Sequence, residues 1–294
     1  MEKAKKFGAF AGVFTPSLLT ILGVIMYMRL GWVVGQAGLI SALVIIVLAH
    51  VISISTGLSI SSIATDKKIQ AGGIYYILSR SLGLPIGGAI GITLFIGTAL
   101  SISLYLVGFA ESFLAIDAIR NFTGLEQNVT GFRIVGTAAI IFLVILAFIS
   151  TSVAIKTQFY IMGAIGLSLI SIVVGFFIND GFSATTISLS YLRDGVSPEL
   201  VFAIFFPAVT GFTAGVAMSG DLKDPKKTIP RGTLAAIACG FIIYVALAVS
   251  FALFVDRDLL INDYNFLMKI AWFAPFVIAG IWGATLSSAL GGIL

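Results

Sequence analysis

The sequence predicts an all-α polytopic membrane protein whose first and sixth membrane helices are interrupted. Three observations carry this expectation. Apolar residues fill 59% of the 294 positions and charged residues only 10%, too little polar surface to cover a water-soluble globule of this length. Eight windows reach the roughly 20 apolar residues that a helix needs to cross the hydrocarbon core. Two of those windows hold proline and glycine around a short polar cluster, where an unbroken helix would have neither.

In chain order, the spans are expected at about Phe7 to Val34, Leu39 to Ile63, Pro85 to Phe113, Arg133 to Val153, Thr157 to Ile178, Val201 to Ser219, Gly232 to Val255 and Ile270 to Leu294. The first stretch is too long for the apolar core of a cleavable signal and lacks a small-residue cleavage site, so it is expected to be retained. Between the second and third spans, "DKKIQAGGIYYILSR" (Asp66 to Arg80) is too polar at its start to cross. Its Gly72-Gly73 pair, followed by aromatic and aliphatic residues, predicts a re-entrant or interfacial helix. The longest connections are Asp117 to Phe132 and Asn179 to Glu199, with no linker or extramembrane domain, so residues 1–294 read as one transmembrane domain.

Charge sets the expected orientation. With the amino terminus in the cytoplasm, Lys3, Lys5, Lys6, Lys67, Lys68, Arg80, Lys156, Lys223, Lys226, Lys227 and Arg231 lie inside, against Arg120, Arg133, Arg193, Arg257 and Lys269 outside. That asymmetry predicts a cell-membrane protein with a cytoplasmic amino terminus, and it accounts for the net charge of +4 without nucleic acid as a partner. The single cysteine, Cys239, excludes an intramolecular disulfide and a cysteine-rich metal site.

The two interruptions are "TPSLLTILG" (Thr15 to Gly23) and "FFPAVTGFTAG" (Phe205 to Gly215). A discontinuous helix at the first and sixth positions is the mark of a five-plus-five inverted-repeat transporter fold, in which freed carbonyls and amides of both breaks meet near the bilayer midplane. Backbone left unpaired at that depth must be buried in protein or line a cavity. A candidate binding site follows, the alternative being two ordinary proline kinks.

At these residues the sequence resembles the cation-chloride cotransporters, a prokaryotic-type member without long termini, within the amino acid, polyamine and organocation transporter superfamily. The resemblance is carried by "RLGWVVGQAG" (Arg29 to Gly38), "GGIYYILSRSLG" (Gly72 to Gly83), "GGAIG" (Gly87 to Gly91), "YLVGFAES" (Tyr105 to Ser112), "VFAIFFPAVTGFTAG" (Val201 to Gly215), "SGDLKDPKKTIPRGTL" (Ser219 to Leu234) and "FAPFVIAGIWGATLSSAL" (Phe273 to Leu290). Two departures stand out. Pro85 is followed by Ile86 where the family usually has an acidic residue, and the chain stops inside the eighth span. The family core has ten spans, so the second repeat is expected to be incomplete here and the chain truncated.

The resemblance implies particular ligands. A sodium site would combine the carbonyls of Leu19 and Leu22 with Ala284, Ser287 and Ser288, whose i, i+3, i+4 spacing in "ATLSS" also fits a small-residue packing face. Potassium-chloride members of the family lack the paired serines. Potassium would take carbonyls of Thr20, Ile21, Pro207 and Thr210 with the hydroxyl of Tyr75, although Tyr76 is adjacent and either ring suits interfacial anchoring. Carbonyls are the oxygen donors such hard cations want. Chloride needs donors, and the family places one near Gly23, Val24 and Ile25 and another near Gly211, Phe212 and Thr213, at helix starts with unpaired amides.

Arg29 lies about 12 Å beyond the first break at 1.5 Å per residue, where it could line an external vestibule or snorkel to headgroups. His50, mid-span, reads as a hydrogen-bonded structural histidine more readily than as a proton relay.

These expectations describe a secondary active transporter that couples chloride movement to sodium, potassium or both by alternating access. The resemblance adds the lipid bilayer, small inorganic ions and a homodimer as partners. An amino acid permease of the same superfamily and a non-transporting or truncated membrane protein are the alternatives. No phosphate loop, nucleophile with its base or metal cluster is visible, so neither an enzyme nor a cofactor beyond the transported ions is expected.

Overall fold

The computed structural model describes residues 6–66, 72–149, 151–178, 189–192 and 195–293. Eight helical stretches among them are long and apolar enough to cross a membrane: Phe10–Met28, Leu30–Asp66, Leu84–Leu114, Val129–Phe148, Thr157–Ile178, Pro198–Ala217, Pro225–Phe254 and Ala274–Ile293. Each falls on one of the eight expected windows. Lys3, Lys5, Lys67, Lys68, Arg193 and most of the Asn179 to Glu199 connection lie outside the described residues.

The first span is assembled from pieces. A π-helical turn over Phe10–Phe14 leads into α1 (Thr15–Ile21), whose Pro16 sits in the first turn, where its missing N–H costs nothing. Leu22 leaves the helix at φ −82°, ψ 48°, Gly23 is extended at φ −94°, ψ −154°, and α2 (Val24–Met28) restarts it. The helix therefore breaks at the glycine, while the proline helps to start the segment before it.

The second span, α3 (Leu30–Asp66), is kinked at Gly38, where φ is +69°. Glycine is needed there both for the left-handed backbone and because a Cβ would collide with the Ser190 carbonyl oxygen. Arg257 holds this corner, donating from Nε to the Gly35 carbonyl (2.7 Å) and from Nη2 to the Ser190 carbonyl (3.0 Å). The expected interfacial helix is α4 (Gly73–Leu82), which turns at Gly83 (φ +91°) into α5 (Leu84–Leu114).

The short α6 (Asp117–Thr123) joins α5 to α7 (Val129–Ile149), which is followed by α8 (Thr151–Ile178). The sixth span starts as α9 (Pro198–Phe205), capped by the Ser197 hydroxyl, which accepts the Leu200 N–H. It tightens to a 3₁₀ turn over Phe206–Val209, opens at Thr210 and Gly211, and resumes as α10 (Ala214–Ala217). Then come α11 (Pro225–Phe254), the short α12 (Arg257–Asn262) and α13 (Phe266–Ile270), and α14 (Ala274–Ile293).

Long pairings give the core. The α3 helix lies along α11, and α14 lies between α5 and α8. The central α1 touches α8, α10, α11 and α14, so Leu18, Leu19 and Ile21 are buried on every side. At one end the chain is fastened by main-chain bonds: the Phe7 N–H donates to the Asp221 carbonyl (2.8 Å) and the Lys223 N–H to the Phe7 carbonyl (2.9 Å). This ties the start of the first span to the end of the sixth.

Candidate functional site

The two breaks meet each other. Thr20 Oγ1 donates to the Gly211 carbonyl (2.7 Å), while Ser17 Oγ donates to the Phe212 carbonyl (2.7 Å) and accepts the Gly215 N–H (3.3 Å). The surrounding helices supply further donors. Ser53 of α3 holds the Val209 carbonyl and Tyr244 of α11 holds the Ile21 carbonyl, each at 2.7 Å. Thr210 folds its own hydroxyl back onto the Pro207 carbonyl at 2.8 Å.

Backbone groups remain over. Among the described residues, the amides of Gly23, Gly211, Phe212 and Thr213 make no hydrogen bond outside the helices, and the carbonyls of Leu22 and Thr210 accept none. Over nine-tenths of buried backbone groups are normally paired. A cluster of free donors beside free acceptors at membrane depth is therefore a ligand site or a water-lined cavity. Both amide triplets sit just ahead of or within the first turn of a helical segment, where the dipole favours negative charge.

A cavity of about 470 Å³ adjoins both breaks, lined by Thr20, Thr210, Gly211 and Thr213 together with Tyr75, Tyr105 and Ser288. Its walls continue along α4, α5 and the end of α14 through Gly72, Gly73, Gly291 and Gly292. It thus runs from the breaks toward the face on which α4 lies. Of the adjacent tyrosines, Tyr75 lines the cavity and is 46% exposed, whereas Tyr76 packs against the core and lies over Gly72.

The residues expected to bind sodium separate into two groups. Leu19, Leu22, Ala284 and Ser288 are buried together, with Ser288 Oγ 3.5 Å from the Leu19 carbonyl. Ser287, one residue away, lines a separate crevice between α7, α8 and α14. Consecutive residues on a helix are about 100° apart, so the two serines look into different spaces.

On the side away from the cavity, charged and aromatic side chains pack together. Arg29 Nη2 lies 2.8 Å from Glu111 Oε2, and its guanidinium stacks 4.1 Å over the Tyr264 ring. Side-chain exposure is 26% for Arg29 and 12% for Glu111, so the arginine is paired within the protein rather than extended to headgroups. Behind it, Phe109, Phe113 and Trp282 form an aromatic cluster, and the Tyr27 hydroxyl bonds Ser168 Oγ at 2.5 Å. His50 bonds the Ile46 carbonyl through Nδ1 at 2.8 Å and lies edge-on to Phe241, a structural arrangement.

Sequence reasoning missed Glu111, Tyr105 and Tyr244. Glu111 and Tyr105 stand in "YLVGFAES"; asking what neutralises an intramembrane arginine would have found the acid. Tyr244 carried no signal, since an aromatic in an apolar helix usually packs. Tyr244→Phe keeps the ring contacts with Phe205 and His50 but strips the Ile21 carbonyl of its donor. We expect a loss of about 1–3 kcal/mol, measured as a lower thermal midpoint in detergent.

The sequence profile of the amino acid permease family matches residues 12–294. The chain belongs to that family. Among its relatives in the family, solute carrier family 12 member 2 of Mus musculus is 33% identical over 338 aligned positions, which cover 98% of this chain and 28% of the relative. The same protein of Squalus acanthias is 34% identical with the same coverage. A bumetanide-sensitive sodium-(potassium)-chloride cotransporter of Manduca sexta is 34% identical, covering 98% of this chain and 32% of its own length. The family member described here thus spans about three-tenths of those relatives.

Proposed function

We propose that this chain carries the substrate-binding elements of a secondary transporter that moves chloride together with sodium, potassium or both by alternating access. The observation that carries the reading is the set of free amides and free carbonyls at the two breaks beside one cavity. An anion takes the amides and cations take the carbonyls, so opposite charges sit side by side with no buried charged side chain to neutralise them. The name of the Manduca relative, a sodium-(potassium)-chloride cotransporter, supports the choice of ions.

In this reading chloride lies at Gly23, Val24 and Ile25 and at Gly211, Phe212 and Thr213. Potassium lies between the carbonyls of Thr20, Pro207 and Thr210 and the Tyr75 hydroxyl, with the Ile21 carbonyl shared with Tyr244. Sodium lies among Leu19, Leu22, Ala284 and Ser288, while Ser287, which lines the crevice behind α14, stands apart from that set. The spans form two inverted repeats, and the chain sits in the cell membrane with its amino terminus in the cytoplasm, as the lysine and arginine asymmetry favours. The cavity then faces the cytoplasm and the Arg29–Glu111 pair closes the external route. Inward and outward states interchange as the broken helices rock against α3, α5, α8 and α14.

The test is uptake into proteoliposomes. We expect rubidium uptake that requires chloride, is changed by sodium and is blocked by bumetanide. The family profile favours a second reading, amino acid permeation, in which the same amides hold a carboxylate. Chloride-independent uptake of a radiolabelled amino acid would establish it and overturn the first.

A further inference from the structure

The bonds between the two breaks do more than hold them together, because of the groups they use. From α1, the hydroxyls of Thr20 and Ser17 donate to the carbonyls of Gly211 and Phe212, each at 2.7 Å. Those carbonyls belong to the peptide units whose N–H groups come from Phe212 and Thr213, two of the amides left over at the second break. A trans peptide unit is planar and stiff, with its carbonyl and its N–H on opposite edges. Holding the oxygen therefore sets the direction of the N–H.

These two units need to be held. Thr210 is extended at φ −84°, ψ −175°, Gly211 is left-handed at φ +81°, and α10 starts only at Ala214, so no helix ladder orients the amides between them. The contact with α1 also explains the glycine. A Cβ at position 211 would lie 2.9 Å from Thr20 Cβ and 3.0 Å from Thr20 Oγ1. The left-handed turn and the close approach of the hydroxyl thus coincide at one residue.

The two hydroxyls differ in what they can do when the spans part. Thr20 Oγ1 has three acceptors in reach, the carbonyls of Gly211 (2.7 Å), Ser17 (2.9 Å) and Pro16 (3.2 Å). A hydroxyl carries one proton, so on separation it turns from the sixth span to its own helix and stays bonded. Ser17 is fully buried, and its donor and acceptor bonds, to the Phe212 carbonyl and from the Gly215 N–H, both go to the sixth span. One bond is made to be exchanged and the other to hold.

We propose that Thr20 and Ser17 are positioning residues that aim the Phe212 and Thr213 amides at the anion, and so tie anion affinity to the placement of α1. This rests on the chloride reading above and deepens it: the residue whose carbonyl serves potassium also orients a donor for chloride through its side chain. A shift of α1 on cation binding is carried to the amides by these hydroxyl bonds, which is a physical route to coupled transport. A hydrogen bond at the carbonyl also polarises the peptide unit, so its N–H becomes a stronger donor.

The test is the chloride and rubidium dependence of uptake into proteoliposomes by Thr20→Val, Thr20→Ser and Ser17→Ala, with the chloride-induced rise in thermal midpoint measured beside it. Thr20→Val keeps the size of the side chain and removes the hydroxyl. It is expected to raise the chloride concentration for half-maximal uptake about tenfold, the loss of one hydrogen bond, while the rubidium constant at saturating chloride changes less than about twofold. Ser17→Ala should act likewise, and Thr20→Ser should return the chloride constant toward that of the wild type. Both hydroxyl losses should shrink the chloride-induced rise in midpoint.

If Thr20→Val raises the chloride and rubidium constants by the same factor, the hydroxyl serves packing and the proposal falls. It falls also if Thr20→Val and Ser17→Ala keep the wild-type chloride constant and midpoint rise; the chloride requirement of the wild type then leaves the transport reading standing. Wild-type uptake that ignores chloride overturns the transport reading itself. Where Thr20→Val does not fold, Ser17→Ala decides, and an undiminished chloride-induced rise in its midpoint overturns the proposal.

Discussion

Glu111→Ala is expected to reduce ion uptake to near background and to lower the thermal midpoint by several degrees. Arg29 and Glu111 are the two charged side chains that meet at 2.8 Å with most of their surface covered. Removing one partner of a buried pair leaves the other charge uncompensated, at a cost of about 3–5 kcal/mol. The Tyr264 ring under the guanidinium recovers only part of that, about 1–2 kcal/mol. Arg29→Ala should behave alike.

Arg29→Glu combined with Glu111→Arg restores opposite charges, so it should recover stability in part. Flux should recover less, because the ring stack is lost and the fork geometry of the guanidinium starts from the wrong helix. Thermal melts of the single and double variants, with uptake beside them, check this. A Glu111→Ala protein with wild-type uptake would show that the pair closes nothing that matters.

Gly215→Val is expected to abolish transport through packing alone. A Cβ at Gly215 would lie 2.6 Å from both the Cα and the carbonyl oxygen of Val13. Those are main-chain atoms of the helix that leads into the first break and cannot rotate away. The added side chain must therefore push α10 from the first span, pulling the Gly215 N–H off Ser17 and disturbing both amide triplets. Overpacking of this kind costs about 3 kcal/mol or more, the upper end of the usual range.

Gly88→Ala is the control, since nothing lies within 4 Å of its Cβ position. We expect it to transport normally, with an unchanged melt. Normal uptake by Gly215→Val would mean that the two broken helices do not need their close approach.

Much of this architecture is legible in the sequence because lipid imposes a simple demand. A helix must be long and apolar to cross, and proline and glycine inside such a stretch announce a break. That is why all eight spans and both interruptions were visible, although the helix ends fall up to nine residues from the expected bounds, as at Leu30 against Leu39. The placement of amide donors was also legible, since Gly23 and Gly211 mark where helices restart.

Pairing was not legible. Glu111 is far from Arg29 in sequence, Tyr244 looks like any buried aromatic, and Ser287 and Ser288 seem to share a face until the neighbouring helices divide it. Periodicity reports which side of a helix a residue occupies, but only packing decides what stands opposite. The Gly280 and Gly283 contacts with α8 illustrate this: small residues permit an approach without naming its partner.

The clasp between Phe7 and the Asp221–Lys223 segment has a mechanical consequence. It is made by peptide groups alone, so it transmits force whatever side chains evolution places there. With the breaks bonded to each other at Ser17 and Thr20, the two interrupted helices are joined at two separated points, and two points fix a rigid bar. A pull on the amino-terminal segment is then delivered as rotation of both helices together, which gives any factor that grips that segment a handle on the whole moving unit.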